Sequence, residues 1–278
     1  MTRSVRRTRR TRRTLQVTGA GAAALLALSA CSSSDDSTSA KSDAPASASA
    51  SGKLSGDVTV FAAASLKESF ETLGKAFEKA HPGTKVTFSF GGSDALAASI
   101  TGGAPADVFA SASPKTMKIV TDAGDASGTP ATFVRNQLEI ATLPGNPDKV
   151  ASLKDLTKSG LKVVLCDKAV PCGAAAQKAL DAGKLKLTPV SYEEDVKAAL
   201  NKVVLKEADA AVVYKTDVQA AGDKVEGVEF PEAADAINDY PITVLKDAPN
   251  AEAAKAFIAL VQSTEGQKVL NAAGFLKP

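Results

Sequence analysis

A single histidine stands in the 278 residues, and that scarcity excludes several kinds of chemistry. His81 sits in "KAHPG", where a helix would end before Pro82 and Gly83, so it reads as a surface residue at a helix C-terminus. Without a second histidine, the scattered serines make no Ser-His-Asp arrangement. No His/Cys/carboxylate group has metal-ligand spacing. No glycine-rich phosphate loop of the G-x-x-x-x-G-K-S/T kind is present. Only three cysteines occur, and Cys172 as a nucleophile lacks a nearby base. Aromatic residues are 5% of the chain, and no basic stripe interleaved with aromatics marks a nucleic-acid partner. The longest apolar run, "GAGAAALLALSA", is too short to span a membrane comfortably.

What is there begins with the N-terminus. Residues 1–30 hold seven arginines and no acids, followed by that apolar run and Cys31. This is the layout of an export signal. "LSAC" (Leu28, Ser29, Ala30, Cys31) resembles the lipobox of bacterial lipoproteins, which implies cleavage before Cys31 and a lipid on its sulfur. "TRRTLQ", from Thr11 to Gln16, resembles a twin-arginine export motif, so either export route stays open. The seven arginines also distort the charge. The full chain has 33 basic and 31 acidic residues; without the leader, 26 against 31 leaves a formal −5. The basic run is thus a targeting feature.

From Ser32 to about Ser55 the chain is mostly Ser, Ala, Thr and Asp. Such a segment buries too little apolar surface to offset its ordering entropy and reads as a flexible tether at 31–55. Its coil reach is roughly 25 Å. Beyond it, the chain's 44% hydrophobic content supports a sizeable core in one or two domains. Cys166 and Cys172, both in "LCDKAVPCG", would meet an oxidising setting after export, which permits a disulfide worth roughly 2 kcal/mol in the chain-entropy model.

Residues 58–278 alternate between two patterns. Short β-branched runs read as buried strands: "DVTVFAA", "KVTFSF", "ADVFAS", "LEIATL", "LKVVLC", "DAAVVY" and "PITVL". Between them run helical faces, such as Leu66, Phe70, Leu73 and Phe77, then Val196, Leu200, Val203 and Val204, then Ala253, Phe257, Leu260 and Val261. The alternation predicts an α/β fold with mainly parallel, covered sheets, and its extent suggests two lobes.

In such folds ligands sit where strands end and helices begin, at free N–H groups with partial positive charge. Four junctions are rich in small residues: "FAAASLKE", "FSFGGSDALA", "CDKAVPCGAAAQKAL" and "SYEEDVKAAL". Each has a structural reading too. Ser65 with Glu68 fits the S-x-x-E capping box, and Ser93 could cap likewise. A capping serine can still donate its O–H to a ligand.

Taken together, "VTVFAAASL", "GAPADVFASAS", "VPCG", "EDVKAAL", "VVYKTD", "YPITVL" and the closing "GF" resemble the periplasmic molybdate-binding proteins of ABC importers. The similarity runs from about Asp57 to Phe275. It implies the two-lobed periplasmic binding protein fold, type II-like, with the ligand in the inter-lobe cleft. It implies that molybdate or tungstate is held by Ser65 and Ser93 through hydroxyls and N–H groups, by the N–H groups of Cys172 and Val196, and by the Tyr214 phenol. No direct metal ligand, cofactor or catalytic residue is implied. The first lobe would span 55–138 plus 242–278, the second 139–241, with hinges near "NQLEIATL" and "DYPITV". The partners implied are the oxyanion, an ABC permease and a membrane reached through Cys31, for a monomer. Two features depart from the family pattern. Asp94 follows Ser93, and reads as pointing to solvent at a helix start; Glu193, Glu194 and Asp195 get the same reading. The second departure is the Cys166 and Cys172 pair. Alternatives are the same fold binding sulfate or phosphate, an exported hydrolase using Ser65, or an adhesive surface domain.

Overall fold

The computed structural model describes residues 54–278. The expected leader, Cys31 and nearly all of the tether lie outside the described residues. Two five-stranded sheets organise the chain. The first uses β1 (Gly56–Ala63), β2 (Thr84–Gly91), β3 (Val108–Ala110), β4 (Ala126–Asn136) and β10 (Asn238–Leu245) in the order β2-β1-β3-β10-β4. The second uses β5 (Leu138–Thr142), β6 (Val163–Cys166), β7 (Ser191–Glu193), β8 (Ala210–Tyr214) and β9 (Glu226–Val228) in the order β7-β6-β8-β5-β9.

Both sheets are mixed rather than mainly parallel. β1 pairs in parallel with β2 and β3, and β6 with β7 and β8. The reversed strands are β10 in the first sheet and β5 in the second, each antiparallel to both of its neighbours, and each is the strand that receives the chain after a passage between the sheets. After Asn136 only Gln137 separates β4 from β5, so the chain passes directly from one sheet to the other. It returns between β9 and β10, through a 3-10 turn at Pro231–Ala236. Asn136 and Asn238 are register partners, which sets the two crossings side by side.

Helices cover the faces. α1 (Lys67–Ala80) buries Phe70, Leu73 and Phe77, the stripe its periodicity predicts. It packs on α7 (Ala251–Gln262) and α8 (Thr264–Ala272). The Phe257 ring lies 5.9 Å from Phe70 and 5.6 Å from Phe77, both edge-on, an arrangement aromatic rings favour. α2 (Ser93–Thr101) and α3 (Pro114–Asp122) cover the rest of the first sheet. Around the second sheet lie α4 (Pro171–Ala182), α5 (Val196–Val204) and α6 (Lys215–Ala221). Leu276 bridges to Arg135 and ties the C-terminus to the first sheet.

The sequence reading passed over β4, an eleven-residue strand containing Pro130. It lies at a sheet edge, its first seven residues are largely exposed, and proline is tolerated there. A strand that buries so little carries no apolar alternation to read. Among the described residues no helix is long and apolar enough to cross a membrane.

Candidate functional site

The C-terminal ends of β1, β2, β6 and β8 converge on one small cavity between the two sheets. Ser65, Ser93, Cys172, Val196 and Tyr214 all line it, with Ala63, Ala64, Gly91, Gly92 and Ala112. It offers about 20 Å³ to the centre of a water-sized sphere. If round, that space admits a body of roughly 3 Å radius, the scale of one small tetrahedral ion.

Local structure explains why donors point inward. Ser93 is the first residue of α2, Val196 the first of α5, and Cys172 the second of α4 after Pro171. Such N–H groups have no carbonyl one turn back and lie at the positive end of the helix dipole. Ser65 sits in a 3-10 turn, Ala64–Leu66, between β1 and α1. The small side chains of Ala63 and Ala64 keep that turn's backbone at the cavity wall.

The expected capping roles of the serines are not what the structure shows. Neither α1 nor α2 has a side-chain cap. The Ser65 hydroxyl instead meets the Tyr240 hydroxyl at 2.8 Å, because the 3-10 turn moves the helix start on to Lys67. Ser93 Oγ accepts from the Ala112 N–H at 3.0 Å, which leaves its own O–H to donate. The third small-residue junction is sealed by a disulfide between Cys166 and Cys172, so the Cys172 sulfur is no thiol. Gly173 follows because the backbone of Cys166 and Asp167 passes over this helix's first turn; a Cβ there would overlap the Asp167 carbonyl.

No lysine or arginine lines the cavity, and Asp195 is its one charged wall residue. Asp195 is the N-cap of α5, its carboxylate accepting from the Ala198 N–H at 2.9 Å, so its charge is taken up by the helix rather than pointing to solvent. Asp94 also departs from a simple solvent-facing role. One of its carboxylate oxygens is buried beside Gly92 without a hydrogen-bond partner, although Asp94 does not line the cavity. Burial holds the Tyr214 phenol well above its ordinary pKa, with Tyr240 adding to the effect, and burial raises Tyr240 likewise. Both phenols therefore stay protonated at neutral pH.

Contacts cross between the sheets around the cavity. Lys197, next along α5, places its ammonium 2.9 Å from Glu68 of α1 and 3.1 Å from Asp217 of α6. Glu68, expected in a capping box, is thus an inter-sheet partner. Gly92 packs so closely on Glu194 that a Cβ would lie 2.6 Å from the Glu194 carbonyl oxygen. Behind the cavity, Asn136 donates to Thr216 at 2.9 Å and to Tyr240 at 3.4 Å. Asn238 donates to the Tyr214 hydroxyl at 2.7 Å. The sequence reading missed Asn136, Asn238, Tyr240 and Lys197. The available signal was an asparagine at the end of one strand and another at the start of a second, at the two chain crossings.

Comparison with known proteins places this geometry among relatives. The family model described as bacterial extracellular solute-binding protein matches residues 58–276. The chain is 44% identical over 221 residues to the molybdate-binding protein ModA of Mycobacterium tuberculosis, covering 80% of this chain and 85% of that one. Among solved structures, the substrate binding domain of a putative molybdenum ABC transporter from Clostridium difficile aligns with a TM-score of 0.60 and 32% identity, over 81% of this chain and 100% of the other. The Azotobacter vinelandii periplasmic molybdate-binding protein shares the fold, with a TM-score of 0.70 at 22% identity over 80% and 99%.

Two tests follow from the geometry. A methyl at Gly92 meets a backbone carbonyl across the cleft, so Gly92→Ala should hold the two sides apart. Ligand affinity should fall by about tenfold or more, while the melting temperature without ligand barely moves. Equal affinity, by titration calorimetry, would show that this contact does not govern closure.

The second concerns Asp217. Burial raises its pKa from 3.8 to about 6 against the pull of Lys197. Below about pH 4 folded and unfolded chains both hold the proton; between 4 and 6 only the folded chain keeps it; above 6 both lose it. Asp217 therefore subtracts stability as pH rises through 4 to 6, on the order of 1–3 kcal/mol. Urea unfolding should show Asp217→Asn gaining on the parent chain across that window and not beyond it. A constant difference would contradict the burial argument.

Proposed function

The chain belongs to the bacterial extracellular solute-binding proteins, and from that premise we propose that it binds molybdate outside the cell membrane and delivers it to an ABC importer. The observation that carries this reading is the cavity itself: small, set between two sheets, walled by neutral donors beside the capping Asp195, and without a cation. A dianion entering it exchanges hydration for fixed dipoles. It does so without burying a counter-charge, whose desolvation would be costly.

Ser65, Ser93, Cys172, Val196 and Tyr214 are the residues assigned to the anion. The two serines each offer a hydroxyl and an N–H. Cys172 and Val196 offer backbone N–H groups, and Tyr214 its phenol. The serines belong to the first sheet's side and the other three to the second's, so ligand contacts favour the closed arrangement. The two chain crossings act as the hinge between a first lobe of 55–138 with 242–278 and a second of 139–241. A wall made mostly of donors disfavours anions carrying a proton, since the one carboxylate on it, Asp195, already caps α5. Tungstate, of similar size and charge, is expected to bind as well.

The chain is a carrier rather than an enzyme in this reading. Ser65 meets a phenol rather than a general base, and Asp195 is occupied as a cap. Export under the arginine-rich leader, a lipid at Cys31 and the tether at 31–55 would hold a monomeric domain at the outer face of the cell membrane, close to its permease. Neither cofactor nor nucleic acid enters this function.

Thermal unfolding with each anion in turn tests the ligand. Molybdate or tungstate at 100 times its dissociation constant should stabilise the protein by about 2.7 kcal/mol. Sulfate and phosphate at equal concentration should do little. A response to phosphate or sulfate alone would assign a different oxyanion; no response to any would remove the oxyanion reading.

A further inference from the structure

A hydroxyl lining an anion site helps only if its proton points at the anion. Tyr214 O–H can rotate about its C–O bond, and a phenol oxygen can accept as readily as it donates. Something must fix which end faces the cavity. We propose that Asn238 is a positioning residue whose carboxamide holds the Tyr214 O–H toward the cavity, which makes that wall donate only.

Asn238 opens β10 at the returning chain crossing and is buried. Its amide nitrogen lies 2.7 Å from the Tyr214 oxygen and 3.4 Å from the Pro171 carbonyl oxygen. The carbonyl settles which way the carboxamide faces. A carbonyl can only accept, so the NH₂ side must face it, and the same NH₂ then donates to Tyr214. With its oxygen engaged as an acceptor, Tyr214 has its proton left to give. The neighbouring hydroxyl of Tyr240 already meets Ser65 at 2.8 Å and Asn136 at 3.4 Å. The directions left to the Tyr214 proton are the uncharged Tyr240 oxygen and the cavity that Tyr214 lines, and a dianion there is the stronger acceptor of the two.

The placement has a second consequence. Pro171 begins α4, whose next residue is Cys172. One carboxamide on the hinge strand thus touches both the phenol and the helix start assigned to the ligand. Asn238 is paired in register with Asn136 at the other crossing, so its backbone is fixed at the point about which the lobes turn. Replacing the carboxamide frees the phenol to turn its oxygen toward the anion, where lone pair meets negative charge.

The proposal rests on the oxyanion reading above, and a double-mutant cycle separates the two. Molybdate affinity is measured by calorimetry for the full protein, Asn238→Ala, Tyr214→Phe and the double variant. Asn238→Ala should weaken binding about 10- to 100-fold in the parent and less than about threefold in the Tyr214→Phe background. A general structural role would give the same loss in both. Where Asn238→Ala fails to fold, Asn238→Asp keeps the shape but accepts from Tyr214. It should show the same dependence on the Tyr214 hydroxyl. Equal losses in both backgrounds, or no loss in either, would overturn the proposal while leaving molybdate binding intact. A parent chain that binds no molybdate would overturn the ligand reading and this proposal together.

Discussion

A doubly charged ion in a closed cavity has to exchange its water for groups that are equally polar and already in place. Here the cavity wall offers helix N-termini and hydroxyls for the exchange that the proposed function requires, and no cation lines it. The rest of the structure follows from that constraint. Dipoles act only over short distances, so backbone must reach the ion, and the junctions are built from Ala63, Ala64, Gly91, Gly92 and Ala112. Free N–H groups come from helix starts, so the strands of two sheets end at one point. The one acid on the cavity wall, Asp195, has its charge taken up by capping its own helix.

Charges are placed beside the cavity rather than in it. Lys197 directs its ammonium away to Glu68 and Asp217, where it spans the two sheets. The hinge obeys the same economy. Asn136 and Asn238 sit side by side where the chain crosses, buried and neutral, and their amides reach across to Thr216 and Tyr214. In the proposed function these contacts lie at the hinge, where they would hold the hydroxyls in place. The disulfide between Cys166 and Cys172 stiffens the loop leading to α4, a wall whose N–H must be ready before the ion arrives.

The helix stripes were legible because burial on one face leaves a period in the sequence: Leu66, Phe70, Leu73 and Phe77 are all fully buried. The small-residue junctions were legible as well, and the family resemblance pointed to five residues that the fold gathers around one cavity. What each residue bonds to was not legible. Ser65 and Glu68 have the spacing of a capping box, yet one turns to Tyr240 and the other to Lys197, partners far away in the chain. Local spacing carries only local competition, and here tertiary partners won. Edge strand β4 stayed hidden for a related reason: it buries little, so it writes no pattern. The asparagines at the crossings are polar letters among other polar letters such as Arg135 and Asp239, and their meaning depends on a register that only the folded sheet supplies.

The central claim is that a tetrahedral dianion is held by neutral donors alone, between two lobes. A crystal structure of the protein with molybdate tests it most directly. The account predicts one anion in the cavity, within hydrogen-bond distance of the Ser65 and Ser93 hydroxyls, the Cys172 and Val196 N–H groups and the Tyr214 phenol. No lysine or arginine should touch it. An anion bound elsewhere, or one paired with a cationic side chain drawn into the cleft, would contradict the account.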